Sequence, residues 1–417
     1  MDVISPTPRP RKPARAIALL AAMVFLVALA YGAAQPLLQP MLMRHLGAVP
    51  SEDISRQVGW LGGAYLIALF FFALIWGRLS DQVGRITVLT VGFGLFVAGT
   101  ALTALATQIG WIYATRLLAG AGAAAIVPTA QAYIADISSP EVRSRRFVVL
   151  GAMAFLGLVA GPAFGIWLAG PVMREQVGQM PQMLHWPAWA IAAGGTLLLA
   201  FTPWALGGEN IRVVPLCTDP EGSRRMVRQS MLLAFLASVA VGTFEVGFNL
   251  FGSQMLGLNP SAIAAMFVTC SLVMLVAQSS LLLAAVRRRL NERWLAAAFA
   301  GSALALLLTL LVPGPRALGL MVAVVAMGAG IIVPVLSYKL LNGRPGAPGS
   351  LLGQLAAAGN LGQAVGVVGG GSAFAFHPMA PFWIAAAVLS AGAGLCWLVW
   401  RPQLLDDELD EPRVSSR

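Results

Sequence analysis

Twelve runs of about twenty mostly apolar residues recur along this chain, at 16–38, 57–76, 86–107, 110–135, 146–170, 186–206, 230–255, 259–285, 294–313, 316–340, 350–376 and 380–400. No other feature limits its fold as strongly. A segment of that length crosses the hydrocarbon core as a helix, because in lipid every backbone N–H and C=O must find its partner within the segment. Composition agrees: 58% of residues are apolar and 11% are charged, against roughly 25% charged in soluble domains. Too few charges remain to cover a water-exposed surface. The expected fold is all-α and integral to the membrane, with twelve transmembrane helices.

The net charge of +10 is not gathered into a patch or stripe that would hold nucleic acid. It falls in short clusters between apolar runs, which is how charge orients a membrane protein. With the N-terminus on the cytoplasmic side, the outside loops hold only Arg44, Arg56, Arg174 and Arg316. Arg116 lies inside a span, and every other Lys and Arg falls on the inside. That bias predicts both termini on the cytoplasmic side and an even number of spans; the expected location is a bacterial inner membrane. Ala28-Leu29-Ala30 resembles a leader cleavage site, but removing the first run would break the symmetry described next.

The chain divides into a tail 1–15, a first bundle 16–206, a polar linker 207–229, a second bundle 230–400 and an acidic tail 401–417. The halves echo each other. Gly122 and Pro128 of the fourth run match Gly328 and Pro334 of the tenth, and Gly157, Gly161 and Gly165 of the fifth match Gly362, Gly366 and Gly370 of the eleventh, at nearly the same separation. Such duplication is typical of secondary transporters, whose repeats rock about a site between them.

Three motifs add detail. Between runs two and three, Gly77-Arg78-Leu79-Ser80-Asp81-Gln82-Val83-Gly84-Arg85 reads as a two-glycine turn carrying an acid between two bases. The fourth run holds Arg116-Leu117-Leu118-Ala119-Gly120-Ala121-Gly122; an arginine inside a span faces a cavity or a partner, or snorkels to the interface. The fifth run holds Gly157 through Gly165 with Gly161-Pro162, a smooth strip that admits a second helix and a proline that bends its own. Together these motifs resemble those of the major facilitator superfamily, and the fifth-run pattern resembles its drug:proton antiporter branch. The resemblance implies two pseudo-symmetric six-helix bundles and a secondary transporter working by alternating access. It also implies proton coupling through Arg116, an antiporter motif at Gly157, Gly161, Pro162 and Gly165, and an inner gate at Gly77, Arg78, Asp81, Gly84 and Arg85. Asp136, Arg143 and Arg145 either join that gate as a charge network or stand as solvated charges. Plain packing is the other reading of the glycine strip.

Coupling to protons needs a group that binds and releases one near physiological pH, and a carboxyl in a low-dielectric cavity comes into that range. Sixteen of the seventeen acids map to loops, tails or span ends. The exception is Glu245, deep in the seventh run, and it is the expected proton-coupling residue. Many drug antiporters carry an acid in the first span; this chain has Tyr31, Gln35 and Gln39 there. These, with Gln131, Tyr133, Phe248, Asn249, Tyr338 and Asn360, are the candidates for a substrate cavity of aromatic and amide character.

No Walker A loop occurs, since neither lysine, Lys12 nor Lys339, follows a glycine. ATP is therefore not an expected partner. No His/Cys spacing suits a metal, and no cofactor is expected. The expected activity is proton-coupled export of small organic molecules by a monomer, not enzymatic catalysis. An uptake permease or symporter is the alternative within transport, and a membrane sensor or enzyme the alternative outside it.

Overall fold

The computed structural model describes residues 13–47, 50–138, 140–169, 185–206, 222–280, 292–309, 314–341 and 348–409. Among these residues the chain forms twelve helical rods and no strand. They are α1 (Pro13–Leu46), α2 (Ser51–Val83), α3 (Arg85–Leu105), α4 (Ile109–Ile137), α5 (Pro140–Ala169), α6 (Trp186–Leu206), α7 (Gly222–Leu250, continued by Phe251–Met255), α8 (Pro260–Ser280), α9 (Glu292–Thr309), α10 (Pro315–Leu341), α11 (Pro348–Phe376) and α12 (Ala380–Leu409). Ten contain stretches long and apolar enough to cross a membrane. Of the other two, α9 offers the shorter apolar stretch Trp294–Leu308, and α11 is rich in glycine and amides. Because successive rods alternate in direction, Pro13 at the start of α1 and Leu409 at the end of α12 lie at one face of the molecule, the termini face; the opposite end is the far face.

The rods outrun the apolar segments. Residues 222–229, assigned to the linker, begin α7, and residues 401–409, assigned to the tail, end α12. The two-glycine turn is also corrected. Gly77 lies within α2, which continues to Val83, so Gly84 alone makes the corner. Its φ of 100° is open to glycine and strained for any side chain. Helix continues past the lipid in these places because its backbone N–H and C=O groups pair with each other in water as they do in lipid, while polar side chains suit the watery surroundings.

Prolines mark the irregular points. Pro36 sits in a 3-10 turn, Gln35–Leu37. Pro128 follows a break at Ala124–Ala125 in α4, where Ala125 N–H bonds Gly122 O at 3.1 Å; a proline ring there crowds the carbonyl four residues back, at Ala124.

Packing repeats between the halves. In the first, α1 lies on α5 and α6, α2 on α4, and α3 on α4 and α6. In the second, α7 lies on α11 and α12, α8 on α10, and α9 on α10 and α12. The halves meet through α2 with α11 and α5 with α8, again related by the same exchange. This is two pseudo-symmetric six-helix bundles.

The glycine strips make close backbone contacts within each half. A Cβ on Gly161 would lie 2.7 Å from the Leu29 carbonyl oxygen and 2.8 Å from Gly32 Cα; one on Gly165 would lie 2.6 Å from the Ala33 carbonyl oxygen. In α11, Gly362, Gly366 and Gly370 meet the backbone of Phe235, Val239 and Thr243 of α7 in the same way. The spacing that takes Phe25 to Phe235 also takes Leu29 to Val239 and Ala33 to Thr243. Each strip fastens α5 to α1, or α11 to α7, with backbone against backbone.

Candidate functional site

Helices α1 and α7 run in the same direction and face each other across the junction of the halves. Three polar pairs join them, one helical turn apart. The Tyr31 hydroxyl points at Glu245 Oε2 at 3.5 Å, Asn249 Nδ2 donates to the Gln35 carbonyl oxygen at 3.1 Å, and the Ser253 hydroxyl donates to Gln39 Oε1 at 2.6 Å. Every pair has the same sequence separation, 214, as two parallel helices in fixed register require. Each step of four residues rises about 6 Å, so the pairs form a ladder climbing toward the far face. Above it Gln254 Nε2 donates to Ser55 Oγ of α2 at 3.0 Å. Beside it α2 and α11 touch through Gly59 and Gly371, where a Cβ on Gly371 would lie 2.6 Å from Gly59 Cα. These hydrogen bonds between the halves form one seam, which closes the far face.

Local sequence explains the ladder. Residues four apart share one helix face, so Tyr31, Gln35 and Gln39 present one polar stripe and Glu245, Asn249 and Ser253 another. Pro36 interrupts the α pattern where Asn249 reaches in to the Gln35 carbonyl. The π turn Phe251–Met255 turns both Ser253 and Gln254 toward the first half.

Glu245 carries the only carboxyl in the ladder, and Gln363 of α11 holds it. Gln363 Nε2 lies 3.1 Å from Glu245 Oε2 and 2.9 Å from the Tyr31 hydroxyl. One amide thus donates to groups on both sides of the junction. Its bonds are shorter than the direct Tyr31–Glu245 contact, so it is the stronger tie.

Arg116 does not pair with Glu245. Two tyrosines lie between them: the rings of Tyr31 and Tyr65 stand 5.8 Å apart, and the Arg116 guanidinium sits 5.5 Å from the Tyr65 ring centre. Arg116 is 8% exposed, and its Nε has no hydrogen-bond partner among the described residues.

A family model described as the Major Facilitator Superfamily matches residues 20–366. The chain belongs to this superfamily. It is a multi-pass membrane transporter and not an enzyme. Multidrug resistance protein 2 of Bacillus subtilis (strain 168) is 25% identical over 84% of this chain and 87% of its own length. The tetracycline resistance protein, class C, of Escherichia coli is 29% identical over 90% of this chain and 91% of its own. The fold matches the crystal structure of a bacterial homologue of the human lysosomal transporter Spinster, inward-facing and unoccupied, with a TM-score of 0.76 at 14% identity over 95% of this chain and 99% of that one.

In this superfamily member the α2–α3 corner carries a cluster centred on Arg85, which is 8% exposed. Its Nη1 meets Asp81 Oδ1 at 2.5 Å and Ser80 Oγ at 2.5 Å, and its Nε meets Asp136 Oδ2 at 3.3 Å. Asp136 thus joins Asp81 through Arg85, while Arg143 and Arg145 of α5 form no ion pair with it among the described residues. Arg143 donates instead to the carbonyls of Ala135 and Ser138 at 3.0 and 3.4 Å, capping the end of α4, where carbonyls lack helical partners. Arg78 and Arg145 are exposed and form no ion pair among the described residues.

The remaining cavity candidates divide. Gln35, Gln39 and Asn249 are buried in the ladder and do not line an open cleft. Phe248, 1% exposed, packs on Phe267 at 4.6 Å and Phe244 at 5.4 Å; it belongs to an aromatic core inside the second half. Tyr133 is buried, and Gln131 and Asn360 are half-buried. Tyr338 falls in α10, with its side chain outside the described residues.

Gln363, Ser253, Gln254, Ser55 and Tyr65 take part in the site without having been expected there. For Gln363 the sequence signal was an amide inside an apolar span, beside the Gly362 of the repeat. In the first half the matching position holds Leu158, which backs Gly32 as Gln363 backs Gly242.

Proposed function

We propose that this transporter exports small organic molecules in exchange for protons, by alternating access, with Glu245 as the proton carrier. One observation carries the reading: the one carboxyl of the inter-half ladder is tied through Gln363 to Tyr31 in the opposite half. As a carboxylate, Glu245 accepts from Gln363 and Tyr31 with charge assistance, and such bonds are roughly twice as strong as neutral ones. As a neutral acid it holds them more weakly. Binding a proton therefore loosens the first rung of the seam; of the two bonds only Tyr31–Glu245 crosses between the halves, and its loss of strength, on the order of 1 kcal/mol, changes an opening equilibrium by roughly 5-fold. Proton occupancy and far-face opening are thereby linked.

The basic residues orient the termini face toward the cytoplasm, so the closed seam faces outward in a bacterial plasma membrane. The names of the drug-resistance relatives support export and a small organic cargo. The chain is taken to act as a monomer and without ATP.

The test is transport in inside-out vesicles. Adding cargo to vesicles with an acidified lumen should collapse the proton gradient when the parent protein is present. Glu245→Gln should still insert and bind cargo but lose the gradient collapse; undiminished collapse would remove Glu245 from the coupling step.

A further inference from the structure

The first bundle holds a cavity of its own, of about 90 Å³, between α1, α2, α3, α4 and α6. Its lining includes Met41, Thr103 and Pro187, residues in the turns next to the far face. The wall is mostly alanine, leucine and other apolar side chains, with Tyr31, Tyr65, Thr100, Thr103 and Arg116 as its polar members.

The hydrogen-bonding capacity of those groups is lopsided. Thr100 spends its hydroxyl proton on the Phe96 carbonyl at 2.8 Å, and Thr103 spends its own on Gly99 O and Thr115 Oγ1 at 2.8 and 2.9 Å. Two donors are left over. Arg116 Nε and the Tyr65 hydroxyl are both buried without partners among the described residues, on side chains 8% and 4% exposed. Among the described residues no carboxylate forms an ion pair with Arg116. An unpaired cation and an unpaired donor buried in apolar walls are costly. Water relieves the donors but leaves the charge, whereas an anion relieves both. The volume admits one small ion with some of its water.

The geometry points to a binding site for a small monovalent anion in this cavity, held by Arg116 and the Tyr65 hydroxyl, on the far-face side of the first bundle; it borders the ladder at Tyr31 but does not include Glu245. The shared chemistry is a single negative charge seeking two donors, met by an inorganic halide or by a carboxylate head group.

The site is tested with the full-length protein in nanodiscs by following its unfolding temperature against sodium chloride, sodium acetate and sodium gluconate at constant sodium. Gluconate is too large for the cavity and sets the background. Chloride and acetate should each raise the midpoint saturably above it; a rise with acetate alone assigns the site to carboxylate head groups, and a rise with both assigns it to free anions. Tyr65→Phe keeps the ring under Arg116 and should weaken apparent affinity about ten-fold, the worth of one hydrogen bond to a charge. Arg116→Gln should abolish the saturable rise. Arg228→Gln, at an exposed position, removes the same charge and should leave the rise intact. Glu245→Gln should also retain it, which separates this site from the proton-coupling proposal. No saturable rise in the parent, or the same rise in Tyr65→Phe, overturns the assignment.

Discussion

If the halves rock about a seam, a methyl group added to the seam should act on one conformation only. Gly371 is the place to add it. Its Cβ would lie 2.6 Å from Gly59 Cα, 2.7 Å from the Ser55 carbonyl oxygen and 2.8 Å from Gly59 N. All three obstacles are backbone of α2 in the opposite half, and no side chain can turn aside. Contact at an ordinary 3.4 Å demands that α2 and α11 part by roughly 0.8 Å, a gap that forfeits a quarter to a half of the attraction along the contact. Overpacking of this kind costs about 1–3 kcal/mol. Because the clash exists only with the far face closed, the whole cost falls on that state, and Gly371→Ala should favour opening by about 5- to 150-fold. Alanine is also the better helix former, so the fold itself should not weaken. Gly366→Ala is the control: its Cβ meets the Val239 carbonyl oxygen and lies 2.9 Å from Thr243 N, inside one half, so both conformations suffer alike. Spin labels at the exposed far-face positions Arg56 and Met255, with the three native cysteines replaced, report the separation of α2 from α7. Gly371→Ala should lengthen that distance at an unchanged unfolding temperature, and Gly366→Ala should lower the temperature at an unchanged distance. The reasoning fails if Gly371→Ala keeps the parent distance and merely unfolds sooner.

Gln363→Leu removes the amide that ties Glu245 to Tyr31 while keeping comparable bulk. It should slow proton-coupled transport at least ten-fold in the vesicle assay, where a packing role alone would leave the rate within about two-fold of parent, as volume-conserving swaps are well tolerated. At the α2–α3 corner, Arg85→Met leaves the Asp136 carboxylate, 11% exposed, without its base, and should cost about 3–5 kcal/mol of stability. Asp81→Asn, at a carboxylate 42% exposed, should cost under about 1 kcal/mol; unfolding temperatures in the reverse order would contradict the burial argument. At the far face, burial together with the nearby Arg44 and His45 pushes His185 below its ordinary pKa, in keeping with Arg44 Nη1 donating to His185 Nε2 at 2.7 Å. The unfolded chain then binds this proton more readily than the folded one, so the contribution is intact above about pH 6.5 and lost as pH falls below it. His185→Gln should flatten the stability profile between pH 5 and 7, and an unchanged slope would discard the contact as a source of pH dependence.

The rods were legible because lipid leaves a chain no alternative to helix, so apolar length alone locates them. Their ends were not, because beyond the lipid apolarity carries no signal: residues 77–83, 222–229 and 401–409 continue helices in polar sequence. Arg116 and Glu245 stood out as charges inside spans. Their relation did not, because it depends on how α1, α2 and α7 cross, and two tyrosines turned out to separate them. Phe248 shows the same limit. It lies three residues from Glu245, and Asn249 four; at 100° per residue the two fall on opposite flanks of the Glu245 direction. One flank meets α1 and the other meets Phe267 of α8. Only the packing decides which is which.

The pseudo-symmetry sharpens what the seam is for. The spacing that matches Ala33 to Thr243 also matches Gln35 to Glu245 and Gln39 to Asn249, so the repeats present amides at equivalent places except where the second half substitutes one acid. Within each half the glycine strips bind helix to helix through backbone contacts that neither water nor cargo can replace, and each half is stiff as a result. Between the halves the ladder offers hydroxyls, amides and a carboxylate, all of which water satisfies when the seam parts. A net contribution of about 0.5–1.5 kcal/mol per hydrogen bond gives a ladder worth a few kcal/mol, the scale on which binding one proton or one cargo molecule can shift a two-state equilibrium. An apolar seam of the same extent would have to be wetted on opening and would resist any such signal. The division of chemistry, glycine against backbone inside the halves and polar pairs between them, suits the proposed cycle, in which the halves part along the one surface that carries the Glu245 carboxyl.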